Sequence, residues 1–155
     1  MFSLIITIVS IALVVALVAA TMYHGGDVLT QGRDQADAAA FVAGAQQISG
    51  AASMAAALSA DAATDTASIT ALVAADYLAN VPDAPGTAVF TLDHADGYVT
   101  GDVVSAGVCD ALNQAVSSVY VCAAAATDLT GLTGASDINA IRATAGAAGV
   151  FVFKY

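Results

Sequence analysis

The side chains best able to do chemistry in this chain are two cysteines, two histidines and a scatter of aspartates. Cys109 and Cys122 lie 13 residues apart in the C-terminal half. A structural zinc site takes four ligands at tighter spacing, and a redox pair shows a Cys-x-x-Cys spacing or a basic neighbour that holds the thiolate. Neither pattern is present. In an exported chain such a pair forms one structural disulfide. Asp93, Asp96 and Asp102 stand near Gly97 and Gly101, but their spacing is not that of an EF-hand loop, so the expectation is a solvated hairpin turn. His24 and His94 are isolated in sequence, and His24 reads as a polar tip at a membrane edge. No nucleophile elbow, zinc-protease helix, phosphate loop or dinucleotide fingerprint occurs. With no Glu and only three Lys and Arg, the chain lacks most of the usual acid–base inventory. The expectation is a protein that is not an enzyme and that uses no metal or cofactor.

The composition sets the frame for these residues. Of 155 residues, 59% are hydrophobic and 10% charged, against about a quarter charged in ordinary soluble domains. A free monomer with so few charges needs its surface covered, by membrane or by copies of itself. The net charge of −10 repels phosphate backbones, which excludes nucleic-acid binding through a basic patch.

One element must carry most of that apolar excess. Phe2 to Met22 holds 21 residues without a charge, interrupted only by Ser3, Thr7, Ser10 and Thr21. As a helix it is about 30 Å long, the thickness of a bilayer core. It exceeds the apolar stretch of a cleaved secretory signal and lacks that signal's basic start. The expectation is that Met1 is a mature N-terminus, exposed when a short basic leader is removed. Gly25-Gly26 marks a flexible or locally melted point. Helical spacing resumes from Asp27 to about Leu58, with Phe41, Ala45, Ile48, Ala52 and Ala55 on one face and Gln46, Gln47, Ser49 and Ser53 largely off it. Ala, Gly44 and Gly50 in this half suit close approach of neighbouring helices. The pattern fits a bundle of identical helices and equally a membrane anchor followed by an amphipathic stalk.

Residues 59–155 read as a small α+β head. After the polar link SADAATDTAS comes a short helix over Ile69–Leu78, ended by Asn80, Pro82, Pro85 and Gly86. Thr87–Leu92 and Tyr98–Val103 read as a hairpin, with Asp96-Gly97 in its turn. Val104 to about Ala115 reads as a helix carrying Cys109, and Ser118–Ala124 as a strand carrying Cys122. Ser136 is placed to cap a short helix near Asp137–Arg142, and Val150–Tyr155 is the last strand. The resulting fold class is α+β: a long apolar helix with a small antiparallel-sheet head, residues 1–58 and 59–155.

The whole chain resembles the type IV pilins, particularly their type IVb and conjugative branches. The resemblance rests on MFSLIITIVSIALVVALVAA, on the run into an Ala-rich helix, on CDALNQAVSSVYVC, which looks like the helix-to-strand disulfide of pilin heads, and on VFVFKY, which looks like their closing strand. It implies a lollipop-shaped subunit processed by a prepilin peptidase, with Met1 as an N-methylated first residue. It also implies a wait in the inner membrane, then polymerisation by the pilus assembly machinery into an extracellular cell-surface filament. Phe2, Leu4, Ile5, Ile8, Leu13 and Leu17 would form the core of that helical homopolymer. Ile5 stands where most pilins carry a Glu that pairs with a neighbour's amino terminus. Alternatives are a pseudopilin or minor pilin of the same machinery, or a single-pass anchored periplasmic binding protein that does not polymerise.

Overall fold

The computed structural model describes residues 2–58, 66–86, 88–94, 96–115, 117–124, 140–143 and 146–155, the side chains of His24, Asp27 and Val103 excepted. Two compact units divide the chain, Met1–Arg33 and Asp34–Tyr155. Helix α1 spans Phe2–Leu58, followed by α2 (Ile69–Ala74), β1 (Phe90–Asp93), β2 (Tyr98–Val104), α3 (Ala106–Gln114), β3 (Tyr120–Ala124) and β4 (Gly149–Lys154). The class is α+β, with a long N-terminal apolar helix and one antiparallel sheet.

In the second unit the chemistry of α1 follows its sequence. Alanine is the strongest helix former and costs no side-chain entropy, so an Ala-rich run sustains the helix without many polar pairs. Phe41, Ala45, Ile48, Ala52 and Ala55 form the buried stripe expected from helical spacing, and Ala38 extends it by one turn. Ser49 departs from expectation: it is buried too, its hydroxyl donating to the Gln46 carbonyl at 3.0 Å. Gly44 also has a different role from the one its spacing suggested. A Cβ there would come within 2.7 Å of the Phe90 ring, so the glycine admits a strand residue of its own chain. Phe41 then sits at the centre of an aromatic group, its ring 5.8 Å from Phe90 and 5.5 Å from Phe151. Burying rings of this size contributes about 2–3 kcal/mol each.

The sheet has the order β1-β2-β4-β3, every pair antiparallel. The final strand therefore lies inside the sheet, between β2 and β3. Register explains its composition. Phe151 pairs with Gly101 and Cys122, Phe153 with Val99 and Tyr120, and this face packs on α1. Val152 points the other way and joins Tyr98, Val121 and Ala123 in a second cluster, with Ile141 against it. A strand buried on both faces needs apolar residues at both parities, as VFVF supplies. A register irregularity between Gly101 and Val104 lets β2 continue beside Gly149.

Several element ends differ from their sequence expectation. α2 stops at Ala74, short of Leu78, because Asp76 adopts φ 59°. The Tyr77 and Asp76 amides then return to the Leu72 and Val73 carbonyls, closing a left-handed C-cap usually made by Gly. Val104 belongs to β2, and Ser105 caps α3 by accepting the Val108 amide at 3.4 Å. The helix placed near Asp137–Arg142 falls partly outside the described residues, as do Ser136 and Thr87. Arg142 itself lies in a β-bridge with Ala123.

Candidate functional site

The segment that the sequence singles out for assembly lies in the first unit. α1 runs through Gly25 and Gly26 without a break, so the helix does not resume at Asp27 but continues. Phe2, Leu4, Ile5, Ile8, Leu13 and Leu17 are all exposed, from 57% at Ile5 to 84% at Phe2. Its apolar residues point in every direction around the axis. Among the described residues this is one helix long and apolar enough to cross a membrane, and none of its most apolar window is buried. Three of the four hydroxyls between Phe2 and Met22 bond to the preceding turn. Thr7 donates to the Leu4 carbonyl at 2.8 Å, Ser10 to Ile6 at 2.8 Å and Thr21 to Val18 at 2.9 Å. These three hydroxyls thus have a hydrogen-bond partner within their own helix. Met1, the expected modified terminus, lies outside the described residues, as does the His24 side chain.

In the second unit Cys109 and Cys122 form a disulfide joining α3 to β3, with Cα atoms 5.3 Å apart. Both residues are buried. Oxidised and enclosed, they offer no thiolate to a metal or a redox partner. Asn113, one helical turn after Cys109, reinforces the same junction. Its carboxamide accepts from the Cys122 amide at 3.1 Å and donates to the Cys122 carbonyl at 3.3 Å, so it acts as a strand neighbour for that edge. The Ala143 amide also reaches the Cys122 carbonyl, at 2.8 Å. Arg142 donates to the Asn113 carbonyl, one of the last carbonyls of α3 that the helix cannot satisfy itself. Asp110 accepts the Gly146 amide at 2.9 Å. Sequence reasoning found the cysteines but not Asn113 or Arg142. The one available signal was the Cys-x-x-x-Asn spacing, which puts both side chains on one helical face.

The hairpin turn is held by side chains as well. Gly97 has φ 72°, the conformation the Asp-Gly pair predicts, and Asp93 accepts the Asp96 amide at 3.3 Å. His94 Nδ1 lies 2.8 Å from the Tyr155 hydroxyl, and the rings stack. The Tyr155 amide donates to Gly97 at 3.1 Å, which ties the last residue to the turn. Burial, and next the charge of Asp93, raise the Tyr155 hydroxyl above its usual 10.0. Among the described residues no group of three His, Cys, Asp or Glu side chains converges as metal ligands would.

An open groove of about 370 Å³ runs between α1 and α3, lined by Ala38, Val42, Ala111, Leu112 and Tyr120 among others. It is mostly apolar and holds no constellation of acid, base and nucleophile. Comparisons with protein-family models, with curated proteins and with solved structures find no match.

Proposed function

We propose that this chain is a structural subunit of a type IV pilus-like filament, held in the inner membrane by Phe2–Met22 and then polymerised through that helix. The observation that carries the reading is the exposure of an uncharged helical segment about 30 Å long, apolar on every side. Such a surface needs lipid or other apolar helices around it, and a chain that passes from one to the other uses the same residues twice. In the bundle, van der Waals packing replaces lipid contacts. Heterologous contacts between copies then extend without closing, which makes a helical filament. A small unit stapled by a disulfide suits life outside the cell. The role is structural and not catalytic, and Gly25-Gly26 supplies the point where the helix bends or extends during assembly.

A second reading, an anchored protein that holds a partner and stays monomeric, draws on the groove beside Val42 and Tyr120. One experiment separates the two. Filaments sheared from the native host are imaged by electron microscopy, and the N-terminal peptide of the chain is weighed by mass spectrometry. Filaments containing this chain, beginning at an N-methylated Met1, are expected. A detergent-soluble monomer with an unprocessed start would replace the filament reading with the anchored one.

A further inference from the structure

His94 and Tyr155 stand 61 residues apart in sequence and meet at one end of the sheet, in a contact that the filament reading does not use. Nδ1 of the imidazole lies 2.8 Å from the phenolic oxygen. The two rings stack, with centroids 6.2 Å apart and planes 27° from parallel. Both partners are held in place. The Tyr155 amide bonds to the Gly97 carbonyl at 3.1 Å, and His94 directly follows the last residue of β1. Both side chains are half-buried, so a small reagent still reaches them from solvent.

An imidazole nitrogen at this distance is a fixed base for the phenolic proton. With the hydroxyl donating, the imidazole carries its own hydrogen on Nε2 and keeps Nδ1 as the acceptor. One reaction gains most from such a pair, the loss of a single electron from the phenol. A phenol that has lost an electron is a strong acid, so the electron leaves easily only if the proton goes with it. Burial and the Asp93 charge hold the Tyr155 hydroxyl in its protonated form, which disfavours losing the proton first. Passing it to Nδ1 in the same step avoids both costs.

We propose that Tyr155 is the tyrosine of the second unit that gives up one electron most readily, with His94 as the base that takes its proton. The electron passes to a one-electron oxidant in solution, the Tyr155 O–H bond breaks and an N–H bond forms at Nδ1. The products are a neutral tyrosyl radical, an imidazolium and the reduced oxidant. The other tyrosines of the unit lack this arrangement. Tyr98 is 2% exposed, and the Lys154 ammonium lies 5.8 Å from its ring centroid, where a positive charge opposes removal of an electron. His94 is the one histidine of the second unit, so Tyr77 and Tyr120 find no second imidazole there.

The test is a brief exposure of the full chain in detergent micelles to a photogenerated ruthenium(III) polypyridyl oxidant, with a luminol reagent that couples to tyrosyl radicals. Peptide mass spectrometry then reports which tyrosines carry the label. Tyr155 is expected to be labelled ahead of Tyr77 and Tyr120, which are also half-buried. Equal labelling of the three overturns the proposal. His94→Gln keeps an acceptor oxygen but cannot take the proton, and should slow labelling at Tyr155 about a hundredfold while Tyr120 keeps its rate. An unchanged Tyr155 rate in that variant also overturns it. The unaltered chain gives a further measure, since labelling at Tyr155 should slow in heavy water if the proton moves in the same step. An equal rate in both solvents rules out the shared step. None of these outcomes depends on whether the chain forms filaments.

Discussion

Asn113 is the residue on which the α3–β3 junction turns, because one carboxamide serves both backbone groups of buried Cys122. Asn113→Ala should destabilise the second unit by about 1–3 kcal/mol, since the Cys122 amide then loses its partner in a dry site. Asn113→Asp keeps an acceptor for that amide, while Ala143 still reaches the carbonyl, so it should recover part of the loss. Chemical denaturation of the three chains measures both effects. Tyr155 gives a pH dependence of definite sign. Its hydroxyl titrates higher when folded than when unfolded, so its contribution is complete below 10.0 and is lost as pH rises through the folded value. Stability should fall on the alkaline side, and Tyr155→Phe should remove the part of the fall due to this group. An unchanged alkaline slope in that variant would count against the assignment.

The elements of the second unit are joined by devices that act together. The disulfide closes a loop of 13 residues between α3 and β3, and such a bond contributes about 3 kcal/mol. Reduction should lower the thermal midpoint by about 10 °C, at about 3 °C per kcal/mol for a unit of this size. Asn113 bridges the same two elements, so α3 should stay docked in the reduced protein. Calorimetry with and without reductant tests this, and loss of all cooperative unfolding would show that the hydrogen bonds cannot hold the junction alone. Capping explains where the helices begin: Ser68 and Ser105 each turn a side-chain oxygen to an amide of the first turn.

At the scale of the molecule, the described core residues run from Ala38 to Phe153, all within the second unit. A chain beginning at Asp34 should therefore be soluble and monomeric and should keep a cooperative melt. Sedimentation and circular dichroism check this. Aggregation of that chain would mean that the apolar segment is not the only surface needing cover. The sequence by itself determined what depends on neighbours a few residues away. An uncharged run of 21 residues marked a helix of the length and polarity of a membrane span, helical spacing marked the Phe41–Ala55 stripe, and Asp-Gly marked the hairpin turn. What depends on residues far apart in the chain came only from the tertiary structure. It placed β4 inside the sheet, gave Gly44 to Phe90, set Arg142 on the end of α3 and made Asn113 a strand neighbour for Cys122. A period of two or 3.6 says which face of an element is apolar, but the partner that covers it is fixed by packing, and packing compares the whole chain at once.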